Sequence, residues 1–541
     1  MNRIAGVARI ARIARIARSV PGLWCAVPTV LHLFLAAPVP GHAGDNGNGT
    51  YSNPPLYADF PDPDIIRVGD DFYFVTTTFA NSPGLTLLHS KDLVNWEYAS
   101  HVVPRLDGDE RYDLKRGGAY RHGLFAASLR HHQGMFYVAV TPVGQNTRIY
   151  YSKDIKGPWA WHTLDRAAFD PALHFEPDGR AFIATSGGWD GTVTLLSLSA
   201  DFARVTDARK IHYYKGAEGS KLIRRGGYYY LFNALPSQLA LVVSRAKSLY
   251  GPWESRPQID DRSGGHQGAI VDLPDGSWYG FVMVDAGPIG RMTNISPIFW
   301  EDDWPVWGTR QAPNRVPSVA PKPINVRHAV ALAASDDFSK PALGLQWQWN
   351  HNPDDSRWSL AERPGHLRLK PTEAHEFWTA RNTLTQKGQG PWSAGEVALD
   401  VSRLAQGDVC GFGTLGKFNG SIAVHAAEAG ELSLRMEVVE DTPQGRRSDV
   451  RVPSRALPRD AARTLRLRTE MDFIANKAEV AYSVDGVQWH GLGGSFPLGY
   501  DWRTGTFQGQ QFALFCYNPK PGAGYMDVDT FELLTRRQRQ R

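Results

Sequence analysis

Over the first three hundred residues a turn followed by an aromatic, apolar run occurs five times. The runs are Asp70-Asp71-Phe72-Tyr73-Phe74-Val75, Gly134-Met135-Phe136-Tyr137-Val138, Gly179-Arg180-Ala181-Phe182-Ile183, Gly227-Tyr228-Tyr229-Tyr230-Leu231 and Gly276-Ser277-Trp278-Tyr279-Gly280-Phe281. Short runs of this kind bounded by turn residues predict strands. Marked by Tyr73, Tyr137, Phe182, Tyr229 and Tyr279, they lie 64, 45, 47 and 50 residues apart. That interval suits a four-stranded propeller blade, with an insertion in the first gap. A second signal keeps the same phase, in the corners around Ser90-Lys91-Asp92-Leu93-Val94-Asn95-Trp96, Ser152 to Trp159 and Ser244 to Trp253. Five such units predict a five-bladed β-propeller.

Pro313, Pro317, Pro321 and Pro323 then mark a stiff linker. Beyond it, runs such as Gly365-His366-Leu367-Arg368-Leu369, Leu432 to Val439 and Thr464 to Thr469 alternate apolar with polar residues. Alternation of this kind predicts a two-sheet sandwich with one wet face per sheet. The chain thus divides into a propeller over 44–312, a linker over 313–334, a β-sandwich over 335–535 and a basic tail over 536–541. The fold class is all-β. A length of 541 residues, too great for a single core, agrees with two domains.

Charge changes the picture at the amino terminus. Arg3, Arg9, Arg12, Arg15 and Arg18 precede an apolar run from Leu23 to Ala37 and the small-residue site Gly41-His42-Ala43, with no acidic residue among them. This reads as a signal peptide over 1–43 and predicts an exported, periplasmic or secreted, protein; an uncleaved membrane anchor is the alternative. Without these five arginines the formal charge falls from +4 to −1 (4 − 5 = −1). A near-neutral mature chain has no electrostatic support for binding nucleic acid or an anionic membrane. Cys25 leaves with the leader, so only Cys410 and Cys516 remain, either paired in an oxidising compartment or as two buried thiols.

Candidate chemistry lies about ten residues before each aromatic strand, where the innermost strand of a blade should begin. Counting back reaches Asp62 between Pro61 and Pro63, Asp170 in Phe169-Asp170-Pro171, Glu218 in Ala217-Glu218-Gly219, and His266 in Gly265-His266-Gln267. The second blade has Phe125-Ala126-Ala127-Ser128 there. Two prolines bias Asp62 toward an extended, rigid conformation. Equivalent positions face one another around the axis, so three carboxylates and one imidazole converge. Separated carboxylates suit inverting glycoside hydrolysis, one activating water and one protonating the leaving oxygen. A third carboxylate nearby would keep the acid protonated. A ring of acids holding a cation is the other reading.

The same residues resemble glycoside hydrolase family 43. The resemblance rests on Phe60-Pro61-Asp62-Pro63-Asp64, Phe169-Asp170-Pro171-Ala172-Leu173, Ala217-Glu218-Gly219, the run 89–96 and Ser248 to Trp253, and spans about residues 50–312. It implies an inverting enzyme with Asp62 as general base, Asp170 as pKa modulator and orienting residue, and Glu218 as general acid. Arg291 matches an arginine near the sugar. His266 matches an axial histidine that in relatives often sits beside calcium or water, making it a candidate Ca2+ neighbour, although no cofactor is required. The second domain, through Asp336-Asp337-Phe338, Leu345-Gln346-Trp347 and Tyr525 to Phe531, resembles the concanavalin-like (jelly-roll) sandwich of β-xylosidases in this family. There a sandwich loop closes the pocket, which implies a cap by Trp502 or Phe507.

Two pocket-shaping runs depart from many family β-xylosidases: Phe125-Ala126-Ala127-Ser128 and Phe79-Ala80-Asn81-Ser82-Pro83-Gly84. The resemblance therefore implies an exo-acting β-xylosidase or α-L-arabinofuranosidase on xylan or arabinoxylan oligosaccharides, without choosing the pentose. A non-catalytic, lectin-like propeller is the rival reading. The sequence sets no oligomeric state.

Overall fold

Each aromatic run becomes the second strand of a four-stranded antiparallel sheet. Asp71–Thr76, Met135–Val140, Ala181–Ser186, Tyr228–Leu235 and Trp278–Asp285 contain the five marker residues. Their inner neighbours are Asp64–Val68, Ser128–His132, Ala172–Phe175, Glu218–Arg225 and His266–Asp272. In this computed structural model, which describes residues 44–535 except 188–189, 260–264, 327–329, 331, 333 and 429, consecutive inner strands touch in a closed ring. Five sheets arranged in this way are the blades of a propeller, the fifth carrying the extra two-residue strand Ala312–Pro313. The leader read at 1–43 and the basic tail read at 536–541 lie outside the described residues.

The repeated corner has a physical basis. In the first blade Ser90 Oγ accepts from the N–H groups of Asp92 and Leu93, and Asp92 Oδ1 accepts from those of Val94 and Asn95. Leu93 sits at φ +65° and its carbonyl accepts from Trp96 Nε1. Short polar side chains satisfy the turn's amides, and the tryptophan pins its far side. Asp154 N–H donating to Ser152 Oγ repeats the first of these bonds, and Tyr250 N–H donating to Ser248 Oγ, at the place of Asp92, repeats the bond from Val94.

Among the described residues no blade is completed by a strand from the other end of the chain. The ends are clasped instead by a small sheet of Gly44–Asp45, Thr50–Ser52 and Val319–Pro321. Lys322, 2 % exposed at its side chain, sits under this clasp with Asp45 at 2.7 Å and Asp92 at 2.9 Å.

The second domain is a sandwich of two antiparallel-dominated sheets. Cys410 and Cys516, opposite one another on neighbouring strands Val409–Leu415 and Gln511–Asn518, are disulfide-linked. Its larger sheet does not stop at the domain edge. Asn81–Ser82, from a propeller loop, pairs with Trp349 and Asn350 as the last strand. The insertion that stretches the first interval to 64 residues wraps the same edge. Asn352 N–H donates to Tyr112 O, His351 Nε2 accepts from Ala119 N–H, and Tyr120 Oη donates to Trp378 O at 2.6 Å. Val284, Ile289 and Met292 of the fifth blade join the sandwich core, so the two domains share buried surface.

Candidate active site

The three acids and the histidine stand at the amino-terminal ends of inner strands. Asp62 and Asp170 each lie two residues before their strand, and Glu218 and His266 are the first residues of theirs. Asp62, Asp170 and His266 are buried, and Glu218 is half-buried. Mutual electrostatic influence links Asp62, Asp170 and Glu218, so the ring does bring them together.

Asp62 is not extended as its flanking prolines suggest. It adopts φ +55°, and Asp170, also before a proline, adopts φ +44°. Aspartate tolerates this region better than most residues, yet a strained conformation of this kind costs on the order of 1–3 kcal/mol and persists only where surroundings dictate it. Around Asp62 they do. Pro61 O accepts from Thr77 N–H and Thr76 Oγ1, Phe60 N–H donates to Arg291 O, and Asp62 N–H meets Met283 Sδ at 3.1 Å. Tertiary hydrogen bonds override the local proline bias.

Arg291 Nη1 donates to Asp62 Oδ1 at 2.9 Å, with side-chain exposures of 6 % and 7 %. Burial works against the arginine's charge, but Asp62 and its other acidic neighbours hold its pKa above the ordinary value. The guanidinium lies 4.5 Å from the Phe507 ring centre and 5.4 Å from that of Phe79. Arg291 Nε and Nη2 have no protein partner. Such unspent donors in a dry pocket are what a bound hydroxyl would meet.

Glu218 opens its strand at a bulge, with Gly219 next at φ +58°. Burial first, and the Asp62 charge second, raise its pKa to about 7. Asp170 is pushed well above the usual carboxylate range by burial, then by Asp62 and Glu218. Besides burial, the charge that acts on Glu218 is that of Asp62, and both of these acids act in turn on Asp170. Lys221, 1 % exposed with Nζ donating to Ala127 O at 3.1 Å, moderates the Asp170 shift.

The wall is aromatic. Phe79 packs edge-on to Phe125 at 5.3 Å and against Phe507 at 4.8 Å, while Phe125 and Phe507 are 6.3 Å apart. Phe507 comes from the sandwich and is only partly buried, so the second domain caps the site through it. Trp502 is 57 % exposed, beside Arg503 and outside this ring cluster, so of the two it is Phe507 that meets Phe79 and Phe125. Among the described residues no group of three or more His, Cys, Asp or Glu side chains is placed to hold a metal ion, at His266 or elsewhere.

Four neighbours escaped the sequence reading. Asp59, Lys387 and Tyr500 surround Arg291, and burial raises the Tyr500 pKa. Gln267, at φ +50° and 5 % exposed, lies against Gly219 with its amide nitrogen unpartnered. Asp59 stands in the same run as Asp62 and was visible as an acid. Nothing in the order of the chain brings Lys387 or Tyr500 to this pocket.

Comparisons with known proteins agree with this architecture. Residues 51–305 match Glycosyl hydrolases family 43, and 335–533 match the β-xylosidase C-terminal concanavalin A-like domain. A β-xylosidase of Formosa agariphila is 31 % identical, over 91 % of this chain and 91 % of its own. A non-reducing end α-L-arabinofuranosidase of Bacteroides ovatus is 33 % identical, over 60 % of this chain and 65 % of its own. A solved family 43 glycoside hydrolase, whose engineered active site displays both endo-xylanase and exo-arabinofuranosidase activity, superposes with a TM-score of 0.82 at 30 % identity, over 90 % of this chain and all (100 %) of that one. A five-bladed propeller with three converging acids, capped by a concanavalin-like sandwich, thus places this chain in glycosyl hydrolases family 43 as a glycoside hydrolase.

Proposed function

We propose that the protein is an exo-acting, inverting glycosidase that removes terminal β-D-xylosyl or α-L-arabinofuranosyl units from xylan-derived oligosaccharides. The observation that carries this reading is the convergence of three acids at one end of the propeller channel, Asp62 bonded to Arg291 and Glu218 with its pKa raised to about 7. Asp62, held by Arg291, is the base that deprotonates water. Glu218, with its pKa near 7, gives its proton to the leaving oxygen. Asp170 borders both and orients the sugar between them.

The reaction needs only water and protein groups. Water attacks the anomeric carbon as its proton passes to Asp62. The glycosidic bond breaks as its electron pair takes the Glu218 proton, and the new hydroxyl has opposite configuration. The Phe79–Phe125–Phe507 wall gives the sugar face an apolar surface, and the open donors of Arg291 suit its hydroxyls. A wall built from both domains favours a pocket over an open cleft, which supports action at chain ends. The basic and apolar leader supports export.

A lectin-like propeller would bind the same sugars without turnover and would have no use for a carboxyl with its pKa near 7. The test is hydrolysis of aryl β-D-xyloside and aryl α-L-arabinofuranoside side by side, with the first-formed anomer followed by NMR. Turnover with inversion on either supports the reading. Binding without turnover, or retention, overturns it.

A further inference from the structure

Behind the pocket lie two ionisable groups that this reaction does not use. Asp59, in the strap leading to Asp62, is 3 % exposed, and Lys387, the last residue of the sandwich strand Leu384–Lys387, is 4 % exposed. Asp59 Oδ2 has no hydrogen-bond partner and faces Lys387 Nζ at 4.0 Å. Asp59 Oδ1 accepts from the Arg291 N–H at 2.7 Å, and the Gly509 N–H also donates to this carboxyl. One side chain therefore holds the main chain of the residue that grips Asp62. It also holds the main chain two residues beyond Phe507.

Two glycines make this reach feasible. A Cβ on Gly290 would stand 2.2 Å from Asp59 Oδ1 and 2.7 Å from Gly509 N, and a Cβ on Gly509 would stand 2.0 Å from Ile289 O. Only residues without side chains let the two segments approach so closely. Gln510 N–H, donating to Pro288 O at 2.9 Å, ties them again one residue further on.

Asp59, Asp62, Arg291 and Lys387 form a buried group in which two acids balance two bases. Burial pushes Asp59 up and Lys387 down, so each depends on its charged neighbours to stay ionised. A buried ion stripped of its partner strains whatever it touches. Here it touches the catalytic arginine's own backbone.

We propose that Asp59 and Lys387 are positioning residues, a charge pair across the domain boundary that sets Arg291 against Asp62 and seats Phe507 over it. The inference rests on the roles given above to Asp62 and Arg291. By this device the sandwich contributes to the pocket's electrostatics as well as to its lid.

The test uses the full chain and an aryl glycoside that the wild type hydrolyses, at a temperature where circular dichroism shows every variant folded. Asp59→Asn and Lys387→Met should each lower kcat/KM by about tenfold or more, because each leaves a buried ion without its partner. The double variant Asp59→Asn/Lys387→Met should recover most of that loss, since no ion is orphaned and the Asn carbonyl still accepts from the two amides. Asp59→Ala/Lys387→Met should not recover, because the amides lose their acceptor. Single variants that melt earlier yet keep wild-type kcat and KM while folded overturn the proposal, as do two double variants of equal activity. If the Asp59 variants fail to fold, Lys387→Gln decides the matter by the same kcat and KM criterion. An inactive wild type would instead overturn the proposed function.

Discussion

Arg291 and Asp62 share one hydrogen bond of 2.9 Å between two buried side chains, leaving two of the arginine's three nitrogens without a protein partner. A planar fork can hold the base with one arm and a sugar hydroxyl with another, and a lysine ammonium is too compact and too short to do both. Arg291→Lys should therefore fold but lose about a hundredfold in kcat/KM, with KM raised as well as kcat lowered. Steady-state kinetics on an aryl glycoside measures this. Wild-type kinetics in the variant would remove Arg291 from the site.

Glu218, with its pKa raised to about 7, predicts both a leaving-group effect and a pH limb. Glu218→Gln should abolish most hydrolysis of oligosaccharides, whose leaving oxygen needs a proton, while sparing activated aryl glycosides. The wild-type rate should fall as pH rises through about 7, where the acid loses its proton. The same shift sets a stability trend. Folded Glu218 binds its proton more tightly than unfolded Glu218, so its contribution is fully present below the unfolded pKa and lost as pH rises through about 7. At pH 8 Glu218→Gln should accordingly be more stable than wild type, by about 1–3 kcal/mol after allowing for partial exposure. Equal melting of the two at pH 8 would contradict it.

The origin of that shift can be read separately. Besides burial, the charge acting on Glu218 is that of Asp62. In a carbon-13 NMR titration Asp62→Asn should lower the Glu218 midpoint, and Asp170→Asn should leave it nearly where it was. The opposite ranking would give the modulating role to Asp170.

Much of this site was legible in the chain because propellers are periodic. Asp62, Asp170 and Glu218 occupy one phase of three repeats, and turn chemistry around Ser90 and Asp92 repeats with them. What lay beyond reach is what periodicity does not encode. The left-handed backbone of Asp62 is imposed by hydrogen bonds between its neighbours and residues further along the chain, Thr77 N–H donating to Pro61 O and Phe60 N–H donating to Arg291 O, against the bias of its own prolines. Trp502 and Phe507 looked alike as caps because both are aromatic residues of one loop, and only the docking of Gly509 on Gly290 selects Phe507. Lys387 carries no local signal, since a lysine ending a strand is ordinarily wet.

The clasp at Lys322 gives a stability prediction. Its ammonium lies between Asp45 and Asp92, the latter fully buried at the heart of the first blade's corner. Lys322→Met would leave Asp92 without its cation and should cost about 3–5 kcal/mol. Urea unfolding should show that loss; a variant within 1 kcal/mol of wild type, roughly the worth of an exposed pair, would mean the clasp is electrostatically idle.

The strand Asn81–Ser82 finds its partners at Trp349 and Asn350, and Phe79 meets Phe507. A ribosome adding about 5–20 residues each second needs roughly twenty seconds to a minute and a half to travel from one phenylalanine to the other. Until then Phe79 lacks the aromatic partner that comes from the second domain. Hydrolytic competence is therefore among the last events in the life of the nascent chain, and a polypeptide released short of Phe507 carries all three acids but no finished pocket in which to use them.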